Sequence, residues 1–319
     1  MTLAVLGLAA CAPVSATGPA ASGTSAPTAS PVSVDNCGVP VTVTTPPQRI
    51  VTIKSTSTEM LLALGLGDRV IGQAFPDGPV PAEWAAAAAK IPVISDFAPS
   101  SEAVLALTPD FVYGGWESNF AADAAGERAT LTKLGIGSYV SPAACKEPDY
   151  MPAMLTFGTV FEEIGEAGRV FGAPDAAAAL VSSQKTQLAA IAPDSRGLSA
   201  LWYSSGTDTP YVGAGIGAPE MMLDQLGLTN IAANVADTWT SLSWEAIVDA
   251  NPDVIVLVDA SWNTAASKIA ALKANPATAA LDAVKNARYL TIPFAASEAG
   301  VRNVAATADL AQQLTKLAL

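Results

Sequence analysis

The stretch from Pro174 to Pro193 constrains this chain more than any other. Pro174 and Asp175 fill first-turn positions, an Ala-rich run leads to Leu180, and Val181, Leu188 and Ile191 supply the apolar positions before Pro193 closes the segment. One helix of that length spans about 27 Å, the width of a small domain. The segments on either side of it match one another. The first half holds Arg49-IVTIKSTSTEMLLALGLGDRVIG and Ser100-SEAVLALTPDFVYGGW; the second holds Leu198-SALWYSSG, Ala218-PEMMLDQLGLTNIAA and Leu242-SWEAIVDANPDVIVLVDASW. Each half repeats a short helix with Glu near its start, a Pro-Asp turn and a β-branched strand ending near a Trp, then runs through another helix to a further strand. Strands alternating with helices of this length predict parallel sheets covered on both faces. The expected fold is α/β: two Rossmann-like lobes, 38–173 and 194–319, joined by one long spanning helix, 174–193, with a groove between them.

Composition narrows the chemistry. Charged residues are 14% and hydrophobic ones 50%, which describes a compact globular chain. A net charge of -13 opposes binding to nucleic acid. The absence of histidine removes Ser-His-Asp and Cys-His nucleophiles and any His-ligated zinc or haem.

The N-terminus is kept apart from the fold. Leu3 to Ala10 is apolar but far shorter than the roughly 20 residues that cross a bilayer. Leu8-Ala9-Ala10-Cys11 resembles a bacterial lipobox, which implies cleavage and lipidation at Cys11. Residues 1–11 are then the signal, and 12–37 an Ala/Ser/Thr/Pro tether on the outer face of the cell membrane. No Lys or Arg precedes the apolar run, a departure that leaves a start upstream of Met1 open. In an oxidising compartment the two remaining thiols, Cys37 and Cys145, are expected to pair, the alternative being two unpaired buried thiols.

Several residues sit at predicted strand ends. Lys54, Ser55 and Thr56 follow Ile50 to Ile53 and precede a helix, where open α/β sheets bind ligands and helix dipoles favour anions; the hydroxyls also suit N-capping. Trp116 and Glu117 lie on the loop after Phe111 to Tyr113. Trp202 and Tyr203 lie near the end of the first strand of the second lobe, Trp239 and Trp262 on loops, and Phe294 after the last strand. Flat faces at loop mouths suit a planar heteroaromatic ligand. Arg302, Lys54 and Arg128 are the cations placed to pair with phosphate or carboxylates. Gly213-Ala-Gly215-Ile-Gly217-Ala218 scans as a dinucleotide fingerprint but follows no strong strand, so a flexible cleft loop offering its amides to an anion is the better reading.

The order of lipobox, tether, LLALGLGDRVIG, SSEAVLALTPDFVY, bridging helix and SWEAIVDANPDVIVL resembles the substrate-binding lipoproteins of ABC importers for iron-siderophores, haem and cobalamin. The resemblance covers nearly all of 38–319. It implies a monomer that needs no cofactor of its own, binds a small molecule between slightly opening lobes, and docks on a permease and its ATPase through one glutamate per lobe, here Glu102 and Glu245. Cys37-Gly38-Val39-Pro40, Tyr139-VSPAAC, Leu201-WYSSGTDTPYVGAGIGAPEMMLD and Glu298-AGVRN are similar to an actinobacterial branch labelled as importers of the non-glutamylated form of a deazaflavin coenzyme. The competing class is a secreted α/β enzyme acting on a small aromatic or anionic substrate. For that reading the sequence offers no histidine, no G-x-S-x-G elbow and no P-loop.

Overall fold

The computed structural model describes residues 1–4 and 31–318, so Cys11 and tether residues 12–30 lie outside the described residues. From Pro31 the chain forms one unit. It opens with an antiparallel hairpin, β1 (Val32–Asn36) against β2 (Val39–Val43). Cys37 and Gly38 turn it at φ 53° and 75°, the left-handed pair whose twist matches that of two strands. The fold therefore begins before residue 38, the expected start of the first lobe. Val32 and Val34 pack on the core, and the buried Asn36 side chain bonds both the N–H and the carbonyl of Val140 at 2.8 Å, as a neighbouring strand would.

The first sheet contains β3 (Ile50–Ile53), β4 (Val70–Ala74), β5 (Val93–Ser95), β6 (Phe111–Gly114) and β7 (Gly137–Val140), all parallel in the order β5-β4-β3-β6-β7. The second contains β8 (Ser199–Ser205), β9 (Tyr211–Gly213), β10 (Thr229–Asn230), β11 (Trp239–Ser241), β12 (Val254–Asp259) and β13 (Tyr289–Pro293). Its order is β11-β9-β8-β12-β13, with β10 also on β8. β8, β10, β12 and β13 run parallel, whereas β9 and β11 are antiparallel to their neighbours, so this sheet departs from the purely parallel expectation on one side.

The duplicated Pro-Asp turns explain how each sheet is framed. Asp110 accepts the backbone N–H groups of Gln48 and Arg49 at 2.8 and 3.0 Å, just before β3. Asp253 accepts both the N–H and the hydroxyl of Ser199 at 2.8 Å, at the start of β8. In each lobe the carboxylate satisfies the leading N–H of the strand next to the topological switch, which fixes the two strand starts level and carries their far ends to one rim.

The lobes are linked by a helical hairpin, Phe157–Val170 followed by Pro174–Ala189, with Gly168 packed against Ala177. The second helix is the expected spanning element, and it stops at Ala189 because Pro193 biases the residues before it towards extended backbone. Gln184 ties it to the second lobe by donating to the Val301 carbonyl at 2.8 Å. The first helix is not among the expected elements. Phe157, Val160, Phe161, Ile164, Ala167 and Val170 form its buried stripe at spacings of three and four. A single apolar cluster runs from the first sheet through this helix to the second sheet. Separate clusters cover the other face of each sheet.

Candidate functional site

The C-terminal ends of both sheets open onto one cavity of about 470 Å³, within the range of about 300–1,000 Å³ usual for small-molecule sites. The first lobe contributes Thr56 after β3, Gly115 to Ser118 after β6, and Ser141, Ala143, Ala144 and Lys146 after β7. The second contributes Ser204 and Ser205 of β8, Tyr211, Thr238, Trp239, Trp262 after β12, and Phe294, Ser297 and Glu298 after β13. Five of the expected site residues thus come together with Thr56: Trp116, Glu117, Trp239, Trp262 and Phe294. Tyr211 stacks on Trp239 at 6.0 Å and 17°, and Trp262 meets Phe294 edge-on at 5.8 Å. Trp262 is 63% exposed, a large ring held at the mouth.

Polar contacts cross the cavity from lobe to lobe. The Trp116 Nε1–H donates to Glu298 Oε2 at 3.2 Å, and Lys146 Nζ donates to Thr238 Oγ1 at 3.1 Å. Burial pushes the Glu298 carboxyl above the usual carboxylate range, opposed by the Lys54 charge. Thr56 Oγ1 is buried without a hydrogen-bond partner among the described residues, and an unmet buried hydroxyl carries a desolvation cost of about 1–3 kcal/mol that an incoming polar group relieves.

Lys54 does not face the cavity as a free cation. It is 1% exposed, ion-paired with Asp77, and enclosed by Trp116, Phe75 and Phe294, whose centroids lie 3.7, 3.9 and 5.2 Å from Nζ. Burial lowers its pKa and the Asp77 charge opposes that fall. Its backbone sits at φ 80°, ψ 151°, a region that favours glycine and costs other residues about 1–3 kcal/mol. Gly115 makes the fit possible, since a Cβ there would lie 2.7 Å from the Lys54 Cβ. Ser55 is likewise internal: its N–H donates to Asp77 Oδ2 at 3.0 Å, and its hydroxyl accepts from the Asp77 N–H at 2.8 Å. The anion position expected at this strand end is filled by the chain's own Asp77.

Four further expectations are corrected. Trp202 and Tyr203 lie in the core, because β8 is an interior strand with both faces covered. Trp202 is 0% exposed, and the Tyr203 hydroxyl donates to the Gly206 carbonyl at 2.6 Å. Arg302 turns away from the cavity onto Glu59, with Nε 2.6 Å from Oε2, and also donates to the Pro79 carbonyl at 2.9 Å. Arg128 is buried among Asn36 and Ser138, donating to the Asn36 carbonyl at 2.7 Å. The glycine loop offers no free cradle: the amides of Ala214, Gly215 and Ile216 donate to the carbonyls of Thr238, Val235 and Asp237. Its glycines are there for closeness, since a Cβ on Gly215 would strike the Ala233 carbonyl.

Cys37 and Cys145 are joined, with Cα atoms 5.3 Å apart across 108 residues. Glu102 and Glu245 occupy matching places. Each is exposed in the first turn of a short helix, two residues after a capping serine, Ser100 or Ser243, that accepts from the N–H of Ala103 or Ala246 at 3.2 Å. Sequence reasoning missed Glu298, Lys146, Thr238 and the Ser204–Ser205 pair. Position marked Glu298, which follows the strand before Phe294, Ser204 and Ser205, which end the strand of Trp202 and Tyr203, and Thr238, which adjoins Trp239, whereas Lys146 follows a strand with no expected ligand residue.

A family model described as periplasmic binding protein matches residues 50–296. The chain is 27% identical over 297 residues, 89% of its own length and 85% of the other's, to the uncharacterized ABC transporter substrate-binding lipoprotein YvrC of Bacillus subtilis (strain 168). It is similar to the solved periplasmic binding protein of Veillonella parvula DSM 2008, with TM-score 0.79 and 26% identity over 91% of this chain and 99% of that one. A structure described as an ABC-type Fe3+-hydroxamate transport system from Saccharomonospora viridis DSM 43017 gives TM-score 0.75 and 27% identity over 89% and 98%.

Proposed function

The chain belongs to the periplasmic binding protein family, and on that premise we propose that it is the substrate-binding lipoprotein of an ABC importer. In this reading it is anchored through Cys11 on the outer face of the cell membrane, acts as a monomer, and captures a cofactor-sized or metal-chelate ligand between its lobes for delivery to a permease and its ATPase. The observation that carries the reading is the cavity itself, shared by the C-terminal rims of two sheets and walled by large rings from both. Iron-siderophore, cobalamin and deazaflavin-type compounds are the ligand classes it embraces. The solved relative described by Fe3+-hydroxamate transport supports the first of these. The chain has no histidine, and its described residues hold no group of three or more metal-ligating side chains, which supports a ligand that brings its own coordination over a bare ion. Trp116, Glu117, Trp239, Trp262 and Phe294 contact the ligand, and Glu102 and Glu245 meet the permease.

The test is to titrate the mature, oxidised chain with one member of each class, following tryptophan fluorescence and melting temperature and recovering the ligand afterwards. Saturable quenching with a raised melting temperature and unchanged ligand is expected. Chemical conversion of the ligand would replace this reading with the secreted-enzyme one.

A further inference from the structure

The charges around the cavity follow a pattern that the family reading does not supply. Three features that would hold an anion are already engaged by the protein. Lys54 and the Ser55 N–H hold Asp77, Arg302 holds Glu59, and the amides of 214–216 hold carbonyls of 235–238. Among the described residues, the charged groups lining the cavity are Glu117, Glu298 and Lys146. Glu117 accepts the backbone N–H of Lys146 at 2.6 Å, and the Lys146 ammonium lies 3.9 Å from Asp237, an acid outside the cavity lining that partly balances it. Glu298 receives one hydrogen bond, from Trp116, and its second oxygen takes none among the described residues.

We infer that the cavity selects a flat organic cation, a fused-ring heteroaromatic whose positive, N–H-bearing edge meets Glu298 while its faces lie against Trp116, Trp239 and Trp262. The inference rests on the capture reading above and gives that site its charge preference. Indole faces attract cations through the ring quadrupole, and a cation against Glu298 favours its charged form against the burial that raises its pKa, adding a Coulomb term of the same sign. The chain uses this device internally, where the Lys54 ammonium sits over Trp116 and Phe75 beside Asp77. An independent observation points to a ligand at the same place. Thr56, 7% exposed, lines the cavity with a hydroxyl unpartnered among the described residues and able to accept from an N–H edge.

The experiment compares three ring systems of similar size by calorimetry on the mature, oxidised chain: proflavine as the planar cation, lumichrome as the neutral ring, and anthracene-9-carboxylate as the planar anion. Proflavine is expected to bind at least about tenfold more tightly than the anion. Glu298→Gln, which keeps an acceptor for Trp116, is expected to weaken proflavine about tenfold and leave lumichrome within about twofold. Lys146→Met is expected to move proflavine the opposite way, which keeps the test decisive should Glu298→Gln fold poorly. Preference for the anion, or a proflavine affinity indifferent to both substitutions, overturns the charge assignment while leaving capture intact. Saturable binding of none of the three overturns this inference, while the capture reading stands or falls by the titration with its own ligand classes.

Discussion

Two residues beside the cavity make opposite claims on stability. Thr56 buries a hydroxyl with no partner among the described residues, so Thr56→Val, nearly isosteric, should leave the ligand-free chain as stable or up to about 1 kcal/mol more stable. The same change should weaken ligand binding about tenfold, and urea unfolding alongside calorimetry checks both halves. A large loss of stability would show that the hydroxyl has a partner in the ligand-free state. Lys54→Met is the converse, since it leaves the Asp77 carboxylate buried without its ammonium. A loss of about 3–5 kcal/mol is expected from urea midpoints, and a loss below about 1 kcal/mol would show the ion pair to be incidental. Residue identities announced the site better than they announced its charges. Trp116 and Trp262 were legible because large rings on loops have few structural uses, whereas Trp239, expected on a loop, opens β11 and still reaches the cavity. The pairing of Lys54 with Asp77, or of Arg302 with Glu59 across 243 residues, is a tertiary fact with no local pattern.

Among elements, the helix Phe157–Val170 is the informative case. Its stripe at spacings of three and four is plain in the chain, whereas the neighbouring Pro174–Ala189 helix is marked by prolines at its ends although few of its side chains are buried. Pattern, rather than punctuation, marks the helix that packs. That helix also carries Glu163, whose carboxyl burial pushes up to about 8, with Glu166 adding to the rise and a backbone hydrogen bond from Ala143 opposing it. The folded chain therefore holds a proton there that the unfolded chain releases near its ordinary value of 4.5. Stability from this group is complete below that value and is lost as pH rises through about 8. Melting temperature should fall over that window in the native chain and fall less in Glu163→Gln. Parallel pH profiles for the two proteins would show that other groups govern the slope; Glu162, Glu166, Arg169 and the buried Tyr113 and Tyr139 are the charged and titratable neighbours to consider.

At the scale of the molecule, the duplication was readable because both halves repeat Glu, Pro-Asp and Trp at like spacing. The structure adds a reason for the Pro-Asp pair: Asp110 and Asp253 each hold the start of a central strand. The antiparallel β9 and β11 were not readable, since three-residue strands carry too little alternation to declare a direction. The matched exposure of Glu102 and Glu245 gives a prediction at this scale. In a host whose uptake depends on this chain, Glu102→Arg with Glu245→Arg should abolish import while the purified double variant binds ligand as tightly as the native chain. Uptake that survives both changes would place the permease contact elsewhere.

The 108-residue loop closed at Cys145 ends one position short of Lys146, on the wall that Ala143 and Ala144 also build. Material made in a reducing cytoplasm would keep both sheets but leave that wall unmoored, and would report a receptor with slack grip and blurred selectivity. Production through an oxidising secretory route is therefore a condition for any meaningful ligand screen.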